Sequence, residues 1–171
     1  MDSSNLAKAI ETAFNGVEQP TTSLRQFLLL DKYSLSRKIT DVEWTQAARA
    51  REESKWQDIP DSEIDYCGCL LAHMGAEDFR YYLPVYMKYS VMHLLNSTGD
   101  ASILGSTVFS LSAFLHHRSL SRHDQLQFSL LDRAQVQVVV RFLRFVARLD
   151  NADSPDAITA LEQYWSKKVE G

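Results

Sequence analysis

Four groups of residues in this sequence carry side chains that could do chemistry. Cys67, Cys69 and His73 fall in one short stretch. On a helix, Cys69 and His73 are four apart and share a face, offering two of the four ligands that a zinc ion takes. Nothing supplies the other half at a recognised spacing, Cys67 points elsewhere, and buried helical cysteine is the commoner occurrence, so no metal is assigned. His116, His117, His123 and Asp124 form the second group. Their imidazoles could bind metal or move protons, but acid–base work needs an oriented partner and a pocket, and a solvated loop accounts for them better.

The third group is the stretch "FRYYLPVYMKY", residues 79–89, with four of the chain's seven tyrosines around one proline. As a single helix it would be apolar on nearly all sides and therefore central. Pro84 in a helix interior would cost about 3 kcal/mol, by removing a backbone hydrogen bond and clashing with the carbonyl of Arg80. The expectation is a short turn at 76–79, a bend at 80–83 and a new helix from Pro84, with Leu83 extended ahead of the ring. Such a bend sends Tyr81 and Tyr82 to different surroundings. Packing with satisfied hydroxyls is the first reading of these rings. The functional one is a binding groove lined by Phe79, Arg80, Tyr81, Tyr82 and Tyr86, with Arg80 as its most useful polar group.

Fourth, Arg133, Arg141, Arg144 and Arg148 recur at helical spacing with Gln137 between them. The stripe could meet an acidic surface on a partner or a nucleic-acid backbone, although a row like this is most often a solvated helix face. No catalytic residue is assigned, because the sequence holds no phosphate-binding loop, H-E-x-x-H, G-x-S-x-G or dinucleotide glycine fingerprint. No cofactor is implied either.

These residues must be positioned by helices. Six glycines and four prolines in 171 residues leave room for long helices with short connections. A first helix is expected over 4 to about 15. A second follows Pro20 with Thr22 as cap. A third starts at Thr40, where Glu43 can reach back in a capping box, and continues through "TQAARAREESKW". A fourth follows Pro60 with Ser62 as cap and a stripe of Ile64, Cys67, Leu71 and Met74, ended by Gly75. The tyrosine helix runs on toward Asn96, with "NSTGD" as its stop. Residues 101–130 lack a firm period and read as irregular, with one or two short turns. Asp132 and Gln135 then box the start of a helix running to about Leu149, and a last helix begins at Ser154 and Pro155. The sum is an all-α, single-domain bundle of about seven helices.

A net charge of −4 disfavours a general grip on nucleic acid or anionic lipid. No apolar run reaches membrane-spanning length, and the N-terminus lacks a targeting pattern. The closely spaced cysteines suit a reducing, cytoplasmic setting. A protein partner is therefore expected, with no membrane, nucleic acid disfavoured and homo-oligomerisation left open.

"FRYYLPVYM" followed some fifty residues later by "LLDRAQVQVVVRFLRFVA" resembles an uncharacterised, mainly bacterial family of small helical proteins. The likeness rests on Phe79, Tyr81, Tyr82, Leu83, Pro84 and Tyr86, then on Leu131, Gln135, Val139, Phe142 and Leu143, and covers the chain from Trp56 onward. It implies the helical fold and carries no activity. The function expected is that of a non-catalytic protein-interaction or regulatory, immunity-like factor. The alternatives are an enzyme or small-ligand binder at Arg80, Tyr81 and Tyr82 with a nearby histidine, and nucleic-acid binding through the arginine stripe.

Overall fold

In the computed structural model, residues 2–93, 101–112 and 122–170 are described, and they are all-α, with no strand among them. In chain order the helices are α1 (Ser3–Ala13), α2 (Leu24–Tyr33), α3 (Asp41–Arg49), α4 (Asp61–Cys67), α5 (Ala76–His93), α6 (Ala101–Ser112), α7 (Arg122–Ser129), α8 (Arg133–Val146), α9 (Ser154–Ala160) and α10 (Ser166–Glu170). Single 3-10 turns at Trp56–Asp58 and Leu71–His73 flank α4, and a π turn at Leu161–Trp165 joins α9 to α10.

Helix α5 is the axis. It packs against α1, α4, α6, α7 and both 3-10 turns, while α8 lies on α1, α9, the π turn and α10. Eleven of the eighteen residues of α5 are buried, including every one from Tyr81 to Met87. The expected break at 80–83 is therefore absent, and Pro84 lies inside one continuous helix. Fully burying a large apolar side chain is worth about 1.5–3 kcal/mol. Tyr81, Tyr82, Leu83, Val85 and Tyr86, all at most 7% exposed, together outweigh the roughly 3 kcal/mol that proline costs in a helix interior.

Two starts read from the sequence are present as full capping boxes: Thr40 with Glu43, and Asp132 with Gln135. Others shift. Helix α2 is capped by Ser23 with Gln26, one residue after Thr22, whose carbonyl is taken instead by Arg51 and Tyr82. Helix α3 stops at Arg49 because Arg51 is drawn across to the backbone at Pro20 and Thr22. Helix α4 has no side-chain cap, so Ser62 is not one, and it ends at Gly68, whose φ of 68° only glycine adopts without strain. Leu71 and Met74 stay buried, carried by the second 3-10 turn rather than by α4. Ser154 is not a cap, since its hydroxyl donates to Val146 O and ties α9 to α8. Helix α8 ends at Val146, short of Leu149.

Residues 101–112 and 122–129 are helical, not irregular. Thr107, Ser110 and Ser112 are buried, and their hydroxyls donate to Ile103, Ser106 and Phe109 carbonyls of their own helix. Hydroxyls satisfied in this way let polar residues face the core and hide the period in the sequence. The expected stop at "NSTGD" and the pair His116 and His117 lie outside the described residues.

Candidate functional site

The tyrosine segment closes on itself. Phe79, Tyr81, Tyr82 and Tyr86 have no exposed surface, so they line no open groove, and neither Tyr81 nor Tyr82 faces out. Tyr81 meets Tyr82 edge to face with ring centroids 4.9 Å apart, and Tyr82 meets Phe27 at 6.3 Å. Tyr82 donates to Thr22 O (2.9 Å) and accepts from Arg51 Nη2. Tyr86 donates to Gly68 O (3.0 Å). The Tyr81 hydroxyl faces the Gln19 side chain without a well-formed hydrogen bond. Burial pushes Tyr81 up to about 12 and also raises Tyr82 and Tyr86, so all three stay neutral phenols.

Arg80 is the one member of the set that reaches solvent. Its Nε donates to Gln135 Oε1 (3.0 Å) and its Nη2 lies 3.4 Å from Asp132 Oδ2, which makes it a brace on the capping box of α8. Arg80 also borders a pocket of about 580 Å³ walled by Glu18, Gln19, Glu77, Asp78 and Leu130, not by the tyrosines. Burial raises the Asp78 pKa, and Glu77 beside it adds to the shift. Both carboxylates belong to the first turn of α5, where the helix N-terminus accounts for them.

The other end of α5 holds a pocket of about 280 Å³ that includes Trp56, Asp61, Lys88, Tyr89, Met92 and His93. His93 Nε2 is 2.8 Å from Asp61 Oδ2 and its ring stacks on Tyr89 at 4.3 Å, while Tyr89 donates to Asp65. Asp61 and Asp65 are four apart on α4, as Tyr89 and His93 are on α5, so two parallel bonds clamp the helices. The imidazole is thus oriented by a carboxylate beside an aromatic wall of the pocket.

The cysteine and histidine groups disperse. Cys67 Sγ turns to Glu63 (3.6 Å), Cys69 Sγ to Thr107 (3.9 Å) and His73 Nε2 to Asp31 (2.8 Å). His123 is exposed in the first turn of α7, next to buried Asp124.

Along α8 the hydrophobic residues Val136, Val138, Val139, Val140, Phe142, Leu143 and Val146 face the core. Arg133, Gln137, Arg144 and Arg148 are exposed on the other side, with Arg141 half-buried between them. Among the described residues no carboxylate forms an ion pair with Arg133, Arg144 or Arg148. At the C-terminal end of this row, Arg141, Arg144, Phe145, Arg148 and Leu149 enclose a pocket of about 310 Å³.

A family model described as a family of unknown function, DUF6714, matches residues 2–169. The chain belongs to that family. No curated protein and no solved structure matches it. Two features of this DUF6714 chain escape a reading of the sequence. The Arg51 anchor joins residues about thirty apart. His93 and Asp61, 32 apart, carry no local motif; the one available signal is the four-residue spacing shared by Asp61 with Asp65 and by Tyr89 with His93. No helix among the described residues is long and apolar enough to cross a membrane.

Proposed function

We propose that this chain is a non-catalytic protein-binding factor, regulatory or immunity-like in kind and working in the cytoplasm, and that it meets an acidic partner across the outer face of α8. The supporting observation is the segregation of charge. A chain of net charge −4 sets Arg133 and Arg144 on the outer face of α8 and Arg148 in the turn just past it, and among the described residues no carboxylate forms an ion pair with any of the three. Arginine is the cation suited to interfaces, since its planar fork meets carboxylates in two bonds and is weakly hydrated. These guanidinium groups are not needed as helix caps. The Leu143, Phe145 and Val146 carbonyls already accept from the Ala147, Arg148 and Leu149 amides, and Val146 also from Ser154.

A photo-crosslinking residue placed at exposed Gln137, in cells of native-like expression, tests this reading. Acidic proteins should be captured from that position, and the capture should fall when Arg144 and Arg148 become Glu. Capture from Val42 on α3 but none from Gln137 would refute it.

A second reading, a small-ligand site, is favoured by the His93–Asp61 pair in the wall of the α4–α5 pocket. A ligand held there should raise the melting temperature of the wild type and not of His93→Ala. A His93→Ala variant stabilised as much as the wild type by every hit of a fragment screen removes this reading.

A further inference from the structure

The arginine row ends in a pocket whose floor is apolar, and that ending narrows the partner's chemistry. Phe145 and Leu149 are half-buried and pack against the core on one side, while on the other they face the space enclosed by Arg141, Arg144 and Arg148. A phosphate backbone would use the guanidinium groups and leave this floor wet. A purely acidic surface would do the same.

We propose that the pocket seats an apolar side chain flanked by two carboxylates, in an extended segment of the partner of the form acid–x–apolar–x–acid; this rests on the reading of α8 as the docking face. In an extended segment, residues i, i+2 and i+4 point to one side and span about 13 Å at 3.3 Å per residue. Arg141 lies on α8 and Arg148 in the turn that continues its winding, so the two are separated along that direction by about 10 Å at roughly 1.5 Å per residue. The two acids thus meet the outer arginines while the apolar side chain between them descends toward Phe145 and Leu149. Burial of that side chain supplies affinity, and the carboxylate pairs fix its register. The overall negative charge of the chain repels a polyanion more strongly than a segment with two acids, which favours peptide over nucleic acid.

The test uses the full chain and three fluorescein-labelled probes: a peptide centred on Glu-Ser-Leu-Ser-Glu, the same peptide with Ser for Leu, and a single-stranded DNA of similar length. Fluorescence anisotropy reads binding, and amide shifts of residues 141–149 locate it on the unaltered protein. The Leu peptide should bind saturably, shift those amides and bind at least about fivefold more tightly than the Ser peptide. The surface pair Arg144→Glu and Arg148→Glu should weaken it about tenfold or more. Leu149→Ser should remove the preference for Leu without abolishing binding. Equal, arginine-dependent binding of both peptides overturns the pocket proposal while leaving acidic docking on α8 intact. No peptide binding, together with no capture at Gln137, removes both. Tighter binding of the DNA overturns it in favour of a phosphate backbone. Self-association lost in the double variant overturns it in favour of a second copy of this chain.

Discussion

Removing the hydroxyls of Tyr81 and Tyr82 one at a time separates a satisfied buried phenol from an unsatisfied one on the same turn of helix. Both rings are fully buried, and Tyr to Phe removes only the hydroxyl from each. The Tyr82 hydroxyl donates to Thr22 O and accepts from Arg51, whose side chain is only 14% exposed and otherwise held by Pro20 O, Thr22 O and Glu53. A hydrogen bond to a charged group is worth about 1.5–3 kcal/mol, and a buried partner left short of a bond adds its own penalty. Tyr82→Phe is expected to cost about 2 kcal/mol. The Tyr81 hydroxyl has no well-formed bond, so Tyr81→Phe releases a desolvated group and should fall within about 0.5 kcal/mol of the wild type or stabilise it. Urea denaturation followed by circular dichroism measures both. With an m value of about 2 kcal/mol/M, Tyr82→Phe moves the midpoint down by about 1 M and Tyr81→Phe leaves it nearly in place. Equal losses in the two variants, or a neutral Tyr82→Phe, would refute the assignment of the Arg51 anchor.

Three further outcomes follow from local geometry. Burial pushes the Cys67 thiol up to about 12 and Cys69 up to about 11, so both should resist a thiol-specific disulfide reagent in the native protein at pH 8 and react promptly in urea. Tyr81, Tyr82 and Tyr86 are neutral in the fold at pH values where unfolded tyrosine ionises, so their contribution to stability is fully present below about pH 10 and falls as pH rises above it. Denaturation midpoints measured from pH 8 to pH 11 should show that decline, and a flat profile counts against it. Helix α3 has no fully buried residue and is held by its cap, with Arg37 and then Thr40 drawing Glu43 down to about 2. That support is present above the ordinary carboxylate range and is lost as pH falls toward 2. Thr40→Ala should speed hydrogen exchange of α3 amides roughly fivefold while the global unfolding midpoint hardly moves.

What could be read from the sequence is what depends on neighbours within one turn. Thr40 with Glu43 and Asp132 with Gln135 are decided by residues three apart, and both boxes form as the spacing requires. The failures share a cause, which is tertiary contact overriding a local rule. Pro84 reads as a helix start until the burial around it is known, and Thr107, Ser110 and Ser112 read as loop until their hydroxyls are seen bonded to their own helix. The candidate sites divide in the same way. The arginine row is legible because Arg133, Arg141, Arg144 and Arg148 keep helical spacing, and Arg80 as the half-buried polar member of its set is legible beside four buried rings. What spacing cannot carry is which of these guanidinium groups meets a counter-ion, or whether a pocket lies beside them. Phe145 and Leu149 pack against the core on one side and line the pocket on the other, while α9 and Ser154 are tied to the inner side of α8. A row of like charges is thus legible from one helical stretch, whereas the pocket at its end depends on how separate elements pack.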